Sequence, residues 1–140
     1  MSYPAVPTSV ASVRSNVAAV AEAHGASPRS VDAIRLAVSE AVTNSVLHAY
    51  PGRTGEVHIT ATVLLGQLLV VVADEGGGIV PDNDSPGLGF GLGLIAAYSD
   101  RCSLATPSHG GVQVEMRFDL QSPDAAPRPV SDQVASSFLN

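Results

Sequence analysis

Ser39-Glu40-Ala41-Val42-Thr43-Asn44-Ser45-Val46-Leu47-His48 places a carboxylate, an amide and an imidazole four residues apart. On a helix such residues lie about 40° apart around the axis, so Glu40, Asn44 and His48 form one slowly rotating polar stripe. Apolar residues at 31, 34, 38, 42 and 46 form a second stripe offset from it. The polar groups then flank a core and can face a cleft. Asn is a poor mid-helix residue unless its side chain is used. The helix is predicted to start at Ser27-Pro28, a cap followed by proline at the first helical position, and to end near Ala49 before Pro51-Gly52.

Working outward, Met1 to Pro7 reads as extended, held out of a helix by Pro4 and Pro7. Thr8 or Ser9 is expected to cap a first helix running to about His24, with Val10, Val13, Val17 and Val20 inward and Gly25 stopping it. After the second helix, Glu56 to Leu64 alternates as a strand, and Gly66-Gln67 turns into Leu68 to Ala73, an apolar run expected at a sheet's centre. A glycine-rich loop leads to a short helix over Leu92 to Ser99. Arg101 to Thr106 and Val112 to Leu120 read as strands joined at His109-Gly110-Gly111. The expected fold is α+β, a two-layer sandwich in which helices cover one face of a mixed, mainly antiparallel sheet. Residues 1–120 read as one domain and 121–140, rich in Pro, Ser and Ala, as a flexible tail.

Composition narrows the function. The chain has 140 residues, 45% hydrophobic and 14% charged, enough to bury a core without staples. A net charge of −6 argues against nucleic acid as a direct partner. The single Cys102 excludes an intrachain disulfide or a cysteine zinc cluster and fits a reducing cytoplasm. No secretory pattern or membrane-length apolar run is visible. All seven basic residues are arginine, so the lysine-dependent phosphate loop is excluded.

The second informative stretch starts at Asp74-Glu75-Gly76-Gly77-Gly78-Ile79 and closes on Gly87-Leu88-Gly89-Phe90-Gly91-Leu92-Gly93, holding seven of thirteen glycines. Asp74 ends an apolar strand, where a carboxylate is costly unless used; it can accept a hydrogen bond from an adenine amine. Gly76 and Gly78 leave room for a flat base, and Gly89 and Gly91 precede a helix whose free N–H groups suit a phosphate. The amide oxygen of Asn44 is a hard ligand suited to Mg²⁺, and Glu40 one turn earlier can accept a proton. The competing readings are a solvated helix face and a loop merely rich in turn formers. His48 reads as a helix-end residue favoured by the dipole, and His24, His58 and His109 as surface or turn residues.

Together these segments resemble the ATP-binding family shared by gyrase, heat-shock chaperones, histidine kinases and MutL, the Bergerat fold, over the chain up to about Leu120. Val38 to Asn44, with His48 and Tyr50, is similar to the helix motif of the bacterial anti-sigma factor serine kinases. Asp74 to Ile79 and Gly89-Phe90-Gly91-Leu92 with Leu94, Ile95 and Asp100 resemble that branch's two glycine boxes. The resemblance implies that ATP is bound by Asn44, Asp74, Gly76, Gly78, Ile79, Gly87, Gly89, Gly91 and Leu92, with Asn44 holding Mg²⁺. It implies that Glu40 activates a serine or threonine of an anti-sigma antagonist, and that Arg14 faces a sigma factor which the protein, as a homodimer, sequesters. The segment between the boxes, Val80 to Leu88, departs from the branch: it is short and has no Arg or Lys where those enzymes place a cationic residue. That departure motivates an alternative, a nucleotide-gated binding module with little kinase activity. A third class, an ATPase or histidine-kinase catalytic domain, lacks room for a phosphoacceptor hairpin or transducer.

Overall fold

The structure, a computed structural model, describes residues 1–77 and 92–120. Among the described residues five strands and three helices follow in the order β1 (Ser2–Pro4), α1 (Pro7–Ala23), α2 (Pro28–His48), β2 (Glu56–Leu64), β3 (Gln67–Asp74), α3 (Leu92–Tyr98), β4 (Arg101–Ala105) and β5 (Gln113–Asp119). Local chemistry accounts for most boundaries. The Ser27 hydroxyl accepts from Ser30 N–H at 3.1 Å, and Pro28 occupies the first turn of α2, where a missing N–H matters least. Beyond α1, Gly25 takes a positive φ of 86° and its N–H returns to Glu22.

The start of α1 differs from expectation. Val6, with no side-chain capping bond, precedes the helix, and Pro7 sits in its first turn. Proline's fixed φ suits that position, so Pro7 opens the helix that it was expected to delay. Ser9 caps nothing: it is buried, and its hydroxyl donates to the Pro4 carbonyl at 2.6 Å, tying α1 to β1.

Among the described residues one sheet is present, in the order β1-β2-β3-β5-β4, and every neighbouring pair is antiparallel. The expected mixed sheet is thus corrected. The connection through α3 brings β4 in parallel to β3, but β5 then folds back between them, so no parallel ladder forms. As expected, the apolar β3 is central, paired with β2 and β5. Its inward residues Leu68, Val70 and Val72 join Val57, Ile59, Met116 and Phe118 against Val13, Val17, Ile34, Val38 and Val42 of the helices. Burying these apolar groups contributes roughly 1.5–3 kcal/mol each and fixes α2 across the sheet. The end of α2 consequently meets the end of β3. Among the described residues no helix is long and apolar enough to cross a membrane.

Candidate functional site

Where α2 meets the end of β3, Asp74 is only 7% exposed. A buried carboxylate needs partners, and three are supplied by three parts of the chain. Ser45 on α2 donates its hydroxyl to Oδ2 at 2.9 Å. Oδ1 accepts from Gly76 N–H at 3.1 Å and from Val112 N–H at 3.2 Å. The Asp74 N–H in turn donates to the Val112 carbonyl at 3.0 Å. A carboxylate has about four lone-pair sites, so these bonds orient the group and leave acceptor capacity for one more donor.

The residues after Asp74 are gripped by the end of α2. The Ala49 carbonyl accepts from Gly77 N–H at 3.1 Å. Any Cβ on Gly76 would be driven into that same carbonyl. Glycine at 76 is therefore required by close packing on the helix end, a different reason from the approach of a flat base. On the other side, a Cβ on Gly111, whose φ is 87°, would strike the Asp74 carbonyl. The turn between β4 and β5, read from sequence only as a connection, is thus one wall of the site.

Glu40 and Asn44 lie on α2, both half-buried, with Asn44 adjacent to the serine that holds Asp74. His48, the last residue of α2, is exposed at the helix end where a cation is favoured. Leu92 is buried at the first position of α3, which packs on α2. Gly78, Ile79, Gly87, Gly89 and Gly91 lie outside the described residues, as do the rest of Val80 to Leu88 and the tail 121–140. Arg14 is exposed on α1, and neither ion pair found among the described residues, Arg35–Glu22 or Arg117–Glu115, involves it. His24 bonds within its own helix end to the Val20 carbonyl, His58 bonds across to the Ser2 hydroxyl on β1, and His109 lies exposed in its turn. Glu75 is exposed beside the buried Asp74.

Sequence reasoning missed Ser45. The signal was present: Ile34, Val38, Ala41 and Val42 are all buried, and position 45 continues that face with a hydroxyl. A polar residue inside a buried stripe calls for a partner, and the carboxylate ending the neighbouring strand is one.

Sequence comparison places this geometry among known proteins. The histidine kinase-like ATPase domain profile matches residues 3–118. The serine-protein kinase RsbW of Bacillus subtilis is 34% identical over 130 residues, 83% of this chain and 81% of that protein. RsbW of Bacillus licheniformis is also 34% identical, over 80% of this chain and 66% of that protein. The anti-sigma F factor of Clostridium acetobutylicum is 30% identical over 62% of this chain and 68% of that protein. The solved histidine kinase AdeS of Acinetobacter baumannii overlays with a TM-score of 0.48 and 16% identity, covering 66% of this chain and 48% of that one. The chain belongs to the histidine kinase-like ATPase domain family.

Proposed function

We propose that this member of the histidine kinase-like ATPase family is an anti-sigma factor that binds ATP and phosphorylates a serine or threonine of an antagonist protein. The observation that carries the reading is the buried Asp74, oriented by Ser45 from the same helix that presents Glu40 and Asn44. The names of the relatives, serine-protein kinase and anti-sigma F factor, supply the reaction class and the partner class.

In this reading Asp74 accepts a hydrogen bond from the exocyclic amine of adenine through its remaining lone pair. A guanine would present a carbonyl oxygen there and be repelled. The glycines at 76, 78, 87, 89 and 91, with Ile79 and Leu92, complete the ATP pocket. The donor chemistry fits a hard divalent cation: the Asn44 side chain carries a neutral amide oxygen, a ligand type that Mg²⁺ takes beside water and phosphate. Mg²⁺ would therefore rest on Asn44 and on phosphate oxygens, where it supplies neutralising charge. Glu40 takes the proton of the antagonist hydroxyl as that oxygen attacks the γ-phosphorus, and ADP leaves. Phosphoryl transfer needs chiefly positioning and charge neutralisation, so one base, one metal and a backbone cradle suffice. Arg14, exposed on α1, faces the sigma factor. The protein acts as a homodimer in the cytoplasm and does not touch nucleic acid itself.

Incubation with γ-labelled ATP and a panel of antagonist-type domains tests the reading. Transfer of label to a serine or threonine is expected; ATP binding with no transfer to any of them would replace the kinase by a nucleotide-gated binding module. Calorimetry should show ATP binding that needs Mg²⁺ in the wild type and no longer responds to it in Asn44→Ala. Arg14→Glu should weaken a sigma-factor complex and leave ATP affinity intact.

A further inference from the structure

The β2–β3 ladder runs in register from Leu64 opposite Gln67 to Val57 opposite Asp74, so the next pair would be Glu56 opposite Glu75. Ile59 N–H turns to the Met1 carbonyl just before β1, and the Gly55 carbonyl accepts from Ala5 N–H just after it. Odd-numbered positions thus bond outward, and the alternation of an antiparallel ladder turns even-numbered ones toward β3. The Glu56 carbonyl and the Glu75 N–H are consequently aimed at each other. They are instead bridged by the hydroxyl of Tyr50, which accepts from Glu75 N–H at 2.9 Å and donates to the Glu56 carbonyl at 2.7 Å. Two bonds in series hold the strands farther apart than one direct N···O contact of about 2.9 Å.

The ring itself is pinned. A Cβ on Gly55 would be driven into it, and the Arg53 guanidinium lies 5.5 Å from its centroid. Tyr50 follows Ala49, whose carbonyl holds Gly77 N–H and abuts Gly76. The helix end therefore sets both the gap in the ladder and the landing place of the glycines beyond it.

We propose that Tyr50 is a positioning residue for the nucleotide: its hydroxyl opens the last rung of the β2–β3 ladder and turns the Asp74–Gly77 segment onto the end of α2. This role rests on the ATP-binding reading given above. Tyr50 touches no reacting atom. It acts through the backbone that follows the base-reading carboxylate, so it governs how well ATP is held and not how fast a bound phosphoryl group moves.

Tyr50→Phe in the full chain keeps the ring and removes one oxygen, which lets Glu75 N–H close directly on Glu56. The dissociation constant and KM for ATP should rise about tenfold, with kcat at saturating ATP within about twofold of wild type. Amide exchange at Gly77 in the nucleotide-free protein should accelerate. Gly55→Ala should weaken ATP binding in the wild type, by displacing the ring, and have no further effect on binding in a Tyr50→Ala background. A Tyr50→Phe protein that melts lower but binds ATP as the wild type does would make the residue a structural tie and overturn the proposal. Unchanged Gly77 exchange would do the same. A wild type that binds no ATP would sink the nucleotide reading and this role together, whereas wild-type binding with unaltered Tyr50→Phe binding sinks this role alone.

Discussion

The two ends of the β2–β3 ladder are built on opposite plans. At the hairpin end the strands close directly, Leu64 opposite Gln67, through Leu65 and Gly66 at φ of 53° and 74°. Those positive values at both central positions match the tight turn whose twist suits a hairpin, although leucine is a poor occupant of the first. Leu64 and Leu65 are 70% and 94% exposed, and backbone bonds do all the closing, with Leu120 N–H adding one to Gly66 at 2.9 Å. At the other end the strands part around a phenol, and Tyr50, just beyond the end of α2, takes over the bond that a regular ladder would have made. Strand pairing alone explains the first end. The second end exists only because a helix was laid across it, and that is the end with chemistry.

The comparison breaks most visibly at Glu40. Glu40→Gln should lower phosphorylation by about 10²–10⁴-fold with unchanged ATP affinity, since a general base acts on the nucleophile's proton. A γ-label transfer assay run beside calorimetry checks it, and undiminished transfer would remove Glu40 from the role. Asp74→Asn turns an acceptor toward the N–H groups of Gly76 and Val112 into a group that can present donors, and ATP should bind about a hundredfold more weakly. Normal ATP affinity in that variant would show that the base is read elsewhere. Ser45→Ala leaves the carboxylate two partners, and a lost bond to a charged group is worth about 1.5–3 kcal/mol, visible in the denaturation midpoint together with an about tenfold weaker ATP complex. The smallest effect belongs to the hairpin. Leu65→Asn relieves a left-handed leucine and should stabilise the fold by about 1 kcal/mol without altering ATP binding. A change in nucleotide affinity there would mean the two ends are coupled and the contrast is false.

The same contrast decides what the sequence could disclose. Elements announce themselves through periodicity, and the core of α2 and the centrality of β3 follow from apolar stripes and runs that any register would keep. The start of α1 is ambiguous in the sequence because Pro7 is compatible with both an extended segment and a first helical turn. The antiparallel pairing of the whole described sheet is not legible in the sequence, because strand order after α3 depends on where β5 folds back, which no local pattern encodes. At the site, Glu40, Asn44 and Asp74 stand out as polar residues in apolar settings. Ser45 and the backbone of Val112 do not, since their part depends on which strand end a helix meets. Gly76 was singled out for its glycine but for a different neighbour; only the fold shows the Ala49 carbonyl in the space a Cβ would need.

Cys102 sits on β4 opposite Met116, 5% exposed, and is the single cysteine of the chain. A thiol reagent can reach its sulfur only when the structure around that edge strand opens. The rate of labelling in the unmodified protein is therefore a clock for local opening, and its dependence on denaturant separates a fraying edge from loss of the whole fold. The molecule carries its own kinetic probe, and no residue need be changed to read it.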